Sequence, residues 1–395
     1  MDIMGSRRMD RFATSVFSEL AHYKRAKKRE GLDLIDLSVG SPDLPPPTLM
    51  MEELKNSVLN PSQYGYTLGG IDLFHEAVAA YYESRFGVHL DPEQEVISLM
   101  GSQDGLVHLP MAFVNPEDLV IVPDPGYPAY ETGAYMAGAE VYRLPLKREN
   151  RFLPDLGEIP TEVVHRAKMI YLNFPGNPVP ALATREFFAE LIRFAKKYEI
   201  IVVHDFAYSE LIFDGKKGVS FLSVEGAKEV GVEFNSLSKS FNFAGARVAY
   251  LVGNEKIIQT FKRLKSNIDY GIFMPIQRAA ARALKEGSSF LENNARIYEK
   301  RRNLLIDGLA RVGWKIDKPP ATMFVWAKIP EGWSSREFTY ALIDQAGVIV
   351  TPGDGFGPNG EGYVRIGLVQ PEEELLRAVE RIERSGVLGK KTISI

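Results

Sequence analysis

Between residues 95 and 253, short β-rich runs alternate with longer helical stretches, and this alternation limits the fold more than any other feature of the sequence. Such an alternation is typical of a parallel sheet that is wrapped by helices. The runs that we interpret as strands are 95–100, 119–122, 140–144, 169–173, 200–204, 232–236 and 248–252. The sequence therefore predicts an α/β fold with a mostly parallel central sheet.

Five of the predicted strands end at clusters of polar, glycine or proline residues. These clusters are residues 101–105, 123–127, 173–178, 205–208 and 236–239. In open α/β sheets, ligands bind in the crevice outside the carboxyl ends of the strands. We therefore expect the clusters to converge on one crevice, and this convergence indicates a binding site more strongly than any single motif.

The pattern of the chain changes on both sides of this region. Residues 37–47 are rich in proline and cannot form the interior of a helix. The C-terminal part has a helical period that Gly313 is well placed to end. Shorter strands are predicted at 323–327, 348–350 and 363–369. We predict a large domain of residues 48–284 and a smaller α/β domain that combines residues 1–47 and 285–395.

Charge and composition limit the possible partners. Among 395 residues, 47 Lys and Arg face 51 Asp and Glu, so the net charge of −4 provides no basic field for nucleic acid or an anionic membrane. The sequence has no apolar run of membrane-spanning length and no secretory signal. It contains no cysteine, and its six histidines lack the spacing of metal ligands. We expect a small-molecule partner, no metal and a cytoplasmic location.

Lys239 lies among small, apolar and hydroxyl residues, with no other charge from residue 236 until Arg247. A lysine in a weakly polar pocket has a lowered pKa and becomes a nucleophilic amine that can form Schiff bases. A lysine at the tip of a serine-rich loop explains this segment equally well. The segment alone does not decide between these two interpretations.

Several motifs occur in a fixed order along the chain. Asn177-Pro comes first, Asp205-x-x-Tyr208 follows, and Lys239 then lies in Ser-x-Ser-Lys-Ser-Phe with Arg247 eight residues later. This ordered set resembles the class I and II aminotransferases, which have the fold-type I architecture of aspartate aminotransferase and use pyridoxal 5'-phosphate (PLP). The resemblance extends over nearly the whole chain, and its specificity comes from the set rather than from any one motif.

The resemblance implies a set of residues for the cofactor. PLP needs an amine for its aldehyde, an acid near its pyridine nitrogen, donors for its phosphate and a flat partner for its ring. Lys239 would form the Schiff base and move the proton, and Asp205 would face the ring nitrogen. The other implied contacts are Tyr127 on the ring face, Asn177 and Tyr208 at the 3'-oxygen, and Ser102, Gln103, Ser236 and Arg247 at the phosphate.

The phosphate contacts also have a physical basis in the sequence. Residues 101–103 lie between a strand and a helix that we expect to begin near Asp104, so their N–H groups and the Ser102 hydroxyl can receive a phosphate. Tyr64 has the spacing to Gly69 of the family tyrosine that reaches the phosphate in the neighbouring subunit, and Tyr66 is a competing assignment. The resemblance therefore also implies a homodimer.

Recognition of an amino acid requires a cation for its α-carboxylate. Arg365 is the only charge in the β-like run 363–369, where an interior arginine is costly unless it is paired. It resembles the carboxylate-binding arginine of the family, and Gly40 resembles a glycine whose backbone closes over the same carboxylate. Asn177 is implied as a further substrate contact. As alternatives, Arg365 is a surface arginine and Gly40 an ordinary turn glycine.

The implied activity is a ping-pong exchange of an amino group between an L-amino acid and a 2-oxo acid, with glutamate and 2-oxoglutarate as one pair. A PLP-dependent β-lyase or decarboxylase would use the same residues, and a non-catalytic regulator on this fold is a further alternative. Two departures from the family pattern weaken any inference about the substrate. Residues 177–180 read Asn-Pro-Val-Pro instead of Asn-Pro-Thr-Gly, and Phe74 replaces a common arginine.

Overall fold

The structure is a computed structural model that describes residues 3–12 and 16–389. The strands within these ranges are β1 (Ile35–Asp36), β2 (Val96–Leu99), β3 (Leu119–Asp124), β4 (Glu140–Pro145), β5 (Ala167–Leu172), β6 (Ile201–Asp205), β7 (Gly231–Ser236), β8 (Ala249–Gly253), β9 (Phe324–Lys328), β10 (Val348–Ile349), β11 (Thr351–Pro352) and β12 (Tyr363–Gly367).

The α-helices lie between these strands and at both ends of the described chain. They are α1 (Val16–Arg29), α2 (Thr48–Val58), α3 (Asp72–Phe86), α4 (Ser102–Phe113), α5 (Ala129–Met136), α6 (Thr161–Arg166), α7 (Arg185–Tyr198), α8 (Ala227–Val230), α9 (Leu237–Ser240), α10 (Glu255–Lys265), α11 (Met274–Glu286), α12 (Ser288–Arg311), α13 (Ser335–Ala341) and α14 (Glu372–Ser385). Within the described ranges, none of them is long and apolar enough to cross a bilayer.

The central sheet has seven strands in the order β2-β8-β7-β6-β5-β3-β4. Every neighbouring pair is parallel except the two pairs that contain β8, which runs antiparallel to β2 and β7. All seven predicted strands of this region are present, with boundaries shifted by one or two residues, so the predicted α/β fold with a mostly parallel sheet is confirmed. Its central strands are buried on both faces, as expected for a sheet between helix layers.

This topology places the carboxyl ends of β2, β3, β5, β6 and β7 at one edge of the sheet. These are the five strands that the polar clusters follow in the sequence. Because β8 is antiparallel, its carboxyl end lies at the opposite edge, and no cluster follows it. The sheet therefore brings residues that are more than 130 positions apart to one crevice.

Two small sheets lie outside the central one. Strands β11, β12 and β9 form an antiparallel sheet, and β1 pairs with β10 in parallel. Val364 and Ile366 of β12 pack in a second apolar cluster with β9, α12 and α14, whereas Tyr363 and Trp326 contact the cluster around the central sheet. Helix α12 ends at Arg311, and Gly313 follows with a φ of +95°, as its predicted stop position requires.

The helix after β2 begins at Ser102 rather than near Asp104, which corrects the sequence-based boundary. Asp104 lies in the first turn, where its carboxylate accepts a hydrogen bond from the N–H of Met100 at 3.1 Å and pairs with the ammonium of Lys265 at 2.8 Å. This earlier start brings the N–H groups of the first turn closer to the crevice.

A buried polar network lies behind the crevice, around the carboxylate of Glu233 in β7. Glu233 accepts hydrogen bonds from Tyr82 at 2.9 Å, Ser220 at 2.8 Å and the N–H of Phe221 at 2.8 Å. Its second oxygen also lies 2.8 Å from Nδ1 of His204, the residue before Asp205. Because neither Glu233 nor His204 is exposed to solvent, these groups depend on one another for their hydrogen bonds.

We predict that Glu233→Ala lowers the midpoint of thermal unfolding by at least about 5 °C. The substitution leaves several buried donors without an acceptor, at a cost of about 1–3 kcal/mol for each group. Glu225→Ala, at an exposed position, is the matched control and should change the midpoint by less than about 2 °C. Equal midpoints for the two variants would show that the network contributes little to stability.

Candidate functional site

The five strand ends meet in a cavity of about 380 Å³. Its lining combines hydroxyl, amide, carboxylate and cationic side chains with the rings of two tyrosines and of one phenylalanine from α1. The residues are Phe17, Ser38, Gly40, Ser102, Gln103, Tyr127, Asn173, Asn177, Asp205, Ala207, Tyr208, Ser236, Ser238, Lys239, Ala244, Arg247 and Arg365. Every residue that the sequence assigned to a site lies here, except Tyr64.

Lys239 reaches the cavity from α9, a single helical turn that directly follows β7. Its Nζ donates a hydrogen bond to the backbone oxygen of Gly40 at 2.5 Å. Burial and, to a smaller extent, the positive charges of Arg365 and Arg247 together lower the pKa of Lys239 to about 8. On the order of a tenth of this amine is therefore unprotonated at pH 7, far more than for an ordinary lysine, and the unprotonated amine is the nucleophilic form.

Asp205 is the last residue of β6 and is almost completely buried. One carboxylate oxygen accepts from the hydroxyl of Tyr130 at 2.9 Å, and the other accepts from the N–H of Ala207 at 3.2 Å. Burial nevertheless raises its pKa, because these two hydrogen bonds and the nearby charge of Lys239 offset only part of the desolvation cost. A further positive charge in the cavity would therefore be stabilised here.

Arg247 and two serines form a second group of polar side chains in the cavity. A Cβ on Gly101 would overlap the Arg247 guanidinium, so only glycine allows this close approach between the guanidinium and the start of α4. Ser236 caps α9 by accepting from the N–H of Ser238 at 3.1 Å. The hydroxyl of Ser238 is buried and has no hydrogen-bond partner among the described residues. These groups can bind an anion with several oxygens.

Two aromatic residues line other walls of the cavity. The Tyr127 hydroxyl donates to Oε1 of Gln103 at 3.1 Å, which links the residues following β3 to α4. Tyr208 packs edge-on against Phe324, with ring centroids 5.8 Å apart, and burial raises the pKa of its hydroxyl. Both phenols therefore remain protonated, and Tyr208 stays available as a hydrogen-bond donor.

Arg365 extends from β12 into the cavity, so it is not a surface arginine. Its Nη1 donates to Oδ1 of Asn177 at 2.7 Å and its Nη2 to the backbone oxygen of Ser38 at 2.8 Å. The guanidinium also lies over the ring of Phe324, 4.1 Å from its centroid. Burial lowers the pKa of Arg365 to about 10, so it still carries its charge at neutral pH. Its position is fixed from three sides.

Tyr64 does not enter the cavity of its own chain. Its side chain is 62% exposed, its hydroxyl donates to the backbone oxygen of Val58 at 2.9 Å, and its ring packs edge-on against Phe273. The competing residue Tyr66 is 83% exposed and contacts the ring of Tyr270. Neither tyrosine can therefore contribute to the site within one chain.

Sequence reasoning missed residues that hold the site in place. Tyr130 binds Asp205 and stacks on Tyr171 at a centroid distance of 5.1 Å. Asn173 donates to the backbone oxygen of Asp205 at 2.6 Å and accepts from the N–H of Asn177 at 2.8 Å.

Within the described ranges, no group of three or more His, Asp or Glu side chains is arranged to hold a metal ion. The cavity instead combines a free amine, a buried carboxylate and two fixed guanidinium groups. This set suits organic chemistry on an anionic ligand rather than metal coordination.

Comparison with known proteins supports this chemistry. Residues 33–382 match the family model of aminotransferase class I and II. LL-diaminopimelate aminotransferase from Halothermothrix orenii is 44% identical over 376 residues, covering 95% of this chain and 97% of the relative. The substrate-bound structure of BacF from Bacillus subtilis is 40% identical, with a TM-score of 0.94 over 97% of this chain and 98% of that chain. A mutant aspartate aminotransferase from Thermus thermophilus is 28% identical, with a TM-score of 0.91 over 98% and 100%.

We predict that Lys239 in the cofactor-free protein reacts with formaldehyde and a borohydride reductant with an inflection near pH 8, because only the unprotonated amine reacts. In Arg365→Gln, the inflection should move to higher pH, since one of the charges that lower the pKa is removed. Peptide mass spectrometry quantifies the methylation, with the exposed Lys256 as an internal reference. An inflection at or above about pH 10, the ordinary range for lysine, would contradict the assigned environment.

Proposed function

The chain belongs to the class I and II aminotransferases and is thus a PLP-dependent aminotransferase, and from this premise we propose the roles of its residues. Lys239 binds the cofactor covalently and carries the proton during amino-group transfer. The observation that supports this most directly is the position of its low-pKa amine in one cavity with Asp205 and Arg365. The amino group moves between an L-amino acid and a 2-oxo acid.

The residues of the cavity fit PLP. The unpartnered Ser238 hydroxyl, the Arg247 guanidinium and the first turn of α4 together provide donors suited to a phosphate. In the proposed assignment, Ser102, Gln103, Ser236 and Arg247 hold the phosphate end. Asp205 holds the ring nitrogen, where a positive charge would offset the cost of burying the carboxylate. Tyr127 covers the ring face, and Asn177 and Tyr208 bind the 3'-oxygen.

When bound, PLP supplies an electron sink that stabilises negative charge at the substrate Cα. The amine of Lys239 would accept the proton from the substrate Cα and, as the ammonium, donate it back during amino-group transfer. A pKa of about 8 suits this exchange, because the amine can both accept and release a proton near neutral pH. Tyr130 and Ala207 hold Asp205 in place throughout.

Arg365 binds the α-carboxylate of the substrate in this proposal. Asn177 and Ser38 each occupy one terminal nitrogen of its guanidinium, which fixes the orientation of the remaining N–H groups. The backbone of Gly40 lies beside Arg365 and closes the same side of the cavity. The carboxylate is thereby held so that the Cα proton faces Lys239, which is the positioning that amino-group transfer needs.

We infer a diaminopimelate-type amino acid as the first candidate donor, with glutamate and 2-oxoglutarate as the second pair. The basis is the name shared by the curated relatives, which are 40–45% identical over 93–99% of this chain. Among the described residues that line the cavity, Arg247 and Arg365 are the only cations apart from Lys239, and both already have an assigned anion. Neutral donors or a second subunit would therefore bind the distal end of such a substrate.

A homodimer accounts for an apolar surface that one chain leaves open. Tyr64, Tyr66, Leu68 and Tyr270 are all more than half exposed, and Phe273 is 38% exposed. The ring of Tyr64 packs against Phe273 and that of Tyr66 against Tyr270, and the N–H of Leu68 donates to the backbone oxygen of Tyr270, so these exposed side chains lie on two neighbouring segments of the surface. We propose that a second copy covers this surface and that each copy places Tyr64 at the phosphate of the other. The proposed location is the cytoplasm.

The distribution of the sheets supports the proposed domain division. The central sheet lies within residues 48–284, whereas the two small sheets use only strands from 1–47 and 285–395. Arg365 and Gly40 thus come from the smaller domain and Lys239 from the larger one. Substrate binding would draw the two domains together.

We predict that the purified protein with PLP shows a visible absorption band and that Lys239→Ala lacks it. The amine that binds the cofactor is absent from this variant, so amino-group transfer should fall by at least about a thousandfold. Lys256→Ala is the matched control and should retain both the band and the activity. Full activity of Lys239→Ala would refute the assigned role.

We predict that Tyr64→Phe weakens PLP binding by about tenfold or more, because it removes a hydrogen bond to a charged phosphate. Tyr66→Phe should change the dissociation constant by less than about twofold. Both are measured by equilibrium titration of the cofactor-free protein. The reverse result would transfer the role to Tyr66, and no effect from either variant would contradict a shared site.

A further inference from the structure

A second cavity, of about 420 Å³, lies between the regions that contain the central and the small antiparallel sheets. One wall comes from residues 148–152, 179–182 and 216, and the other from residues 315–320, β9 and β12. It shares no lining residue with the catalytic cavity. Its volume is in the usual range for small-molecule sites, which often lie at interfaces between domains.

The lining of this cavity is strongly basic. It includes six Lys and Arg side chains and one acidic residue, Asp317, whereas the whole chain has a net charge of −4. A cleft with one sign of charge and apolar walls concentrates the electric field and raises the local concentration of counter-ions. The local charge is thus opposite to that of the protein and favours an anion.

Most of these basic side chains are free to bind a ligand. Within the described ranges, Arg151, Lys216, Lys315 and Lys328 make no ion pair, and all four are exposed. Lys318 and Arg148 are the exceptions, because Lys318 lies 3.9 Å from Asp307 and Arg148 pairs with Asp317 at 2.6 Å. The Arg148–Asp317 ion pair joins the two walls. The carboxylate of a ligand between the walls could pair with the other basic side chains in the same way.

The interior of the cavity is aromatic. Tyr363 stacks on Trp326 with ring centroids 5.2 Å apart and an angle of 6° between the planes, and Phe152 meets Tyr363 edge-on at 6.2 Å. The three rings give the cavity flat apolar surface against which an aromatic ligand can pack.

We propose that this cavity binds a small organic anion with a flat aromatic body. The ring packs against Phe152, Trp326 and Tyr363, and the anionic group faces Lys315 and Lys328. The inference goes beyond amino-group transfer and does not depend on it, because it requires no catalytic residue. The cavity is nevertheless close to the reaction site, since Trp326 is the strand partner of Arg365 and Val179 follows two residues after Asn177.

The test uses 2-naphthoate, an aromatic carboxylate without the amino or keto group of a substrate, and isothermal titration of the PLP-loaded protein. K315Q/K328Q should weaken its binding by about tenfold, because two partly screened charges are lost. K256Q/K285Q removes two exposed lysines elsewhere and should leave the affinity within about twofold of the wild type. 2-Naphthamide, which has the same rings without the charge, should bind about tenfold more weakly than 2-naphthoate.

Two outcomes would overturn the proposal. One is that the two lysines have no effect, because 2-naphthoate binds K315Q/K328Q and K256Q/K285Q equally or binds neither these variants nor the wild type. The other is binding that R365Q abolishes and K315Q/K328Q retains, which would place the probe in the catalytic cavity. The titration measures binding directly and does not depend on the visible band or on the transfer activity. The two proposals can therefore fail independently.

Discussion

An excess of positive charge in a buried cavity is the constraint on which the rest of the site depends. Lys239, Arg247 and Arg365 face a single buried carboxylate, Asp205. Burial lowers the pKa of both Lys239 and Arg365, and the neighbouring charges of Arg365 and Arg247 contribute to the shift at Lys239. Such a site favours anions. The phosphate of PLP and the carboxylate of an amino acid are two anions that would balance it.

The fold supplies this arrangement through the direction of its strands. Six strands of the central sheet run in one direction and end at the same edge, so β6 and β7 deliver Asp205 and Lys239 to one crevice. Arg365 has a different origin, because β12 belongs to the small antiparallel sheet, and its hydrogen bond to Asn177 connects that sheet to the residues after β5. The charges of the cavity therefore come from two parts of the chain, and their arrangement depends on the contact between these parts.

The sequence was sufficient to predict the features of the fold and the site that follow from local patterns of residues. The alternation of strands and helices predicted the sheet, and the strand-end rule placed Lys239 and Asp205 together. Contacts that depend on three-dimensional packing could not be predicted. Tyr130 of α5 binds Asp205 across 75 positions and stacks on Tyr171 of β5, and Ser38 binds Arg365 across 327 positions. The second cavity likewise combines segments that no motif connects.

The most direct test of the central claim is a pair of half-reactions on the PLP-loaded protein. LL-2,6-diaminopimelate or L-glutamate, added without an acceptor, should remove the visible band stoichiometrically, and 2-oxoglutarate should restore it. Ammonia should not be released at any stage. Repeated turnover of an amino acid to a keto acid and ammonia, with no 2-oxo acid present, would show that the cavity catalyses elimination rather than amino-group transfer.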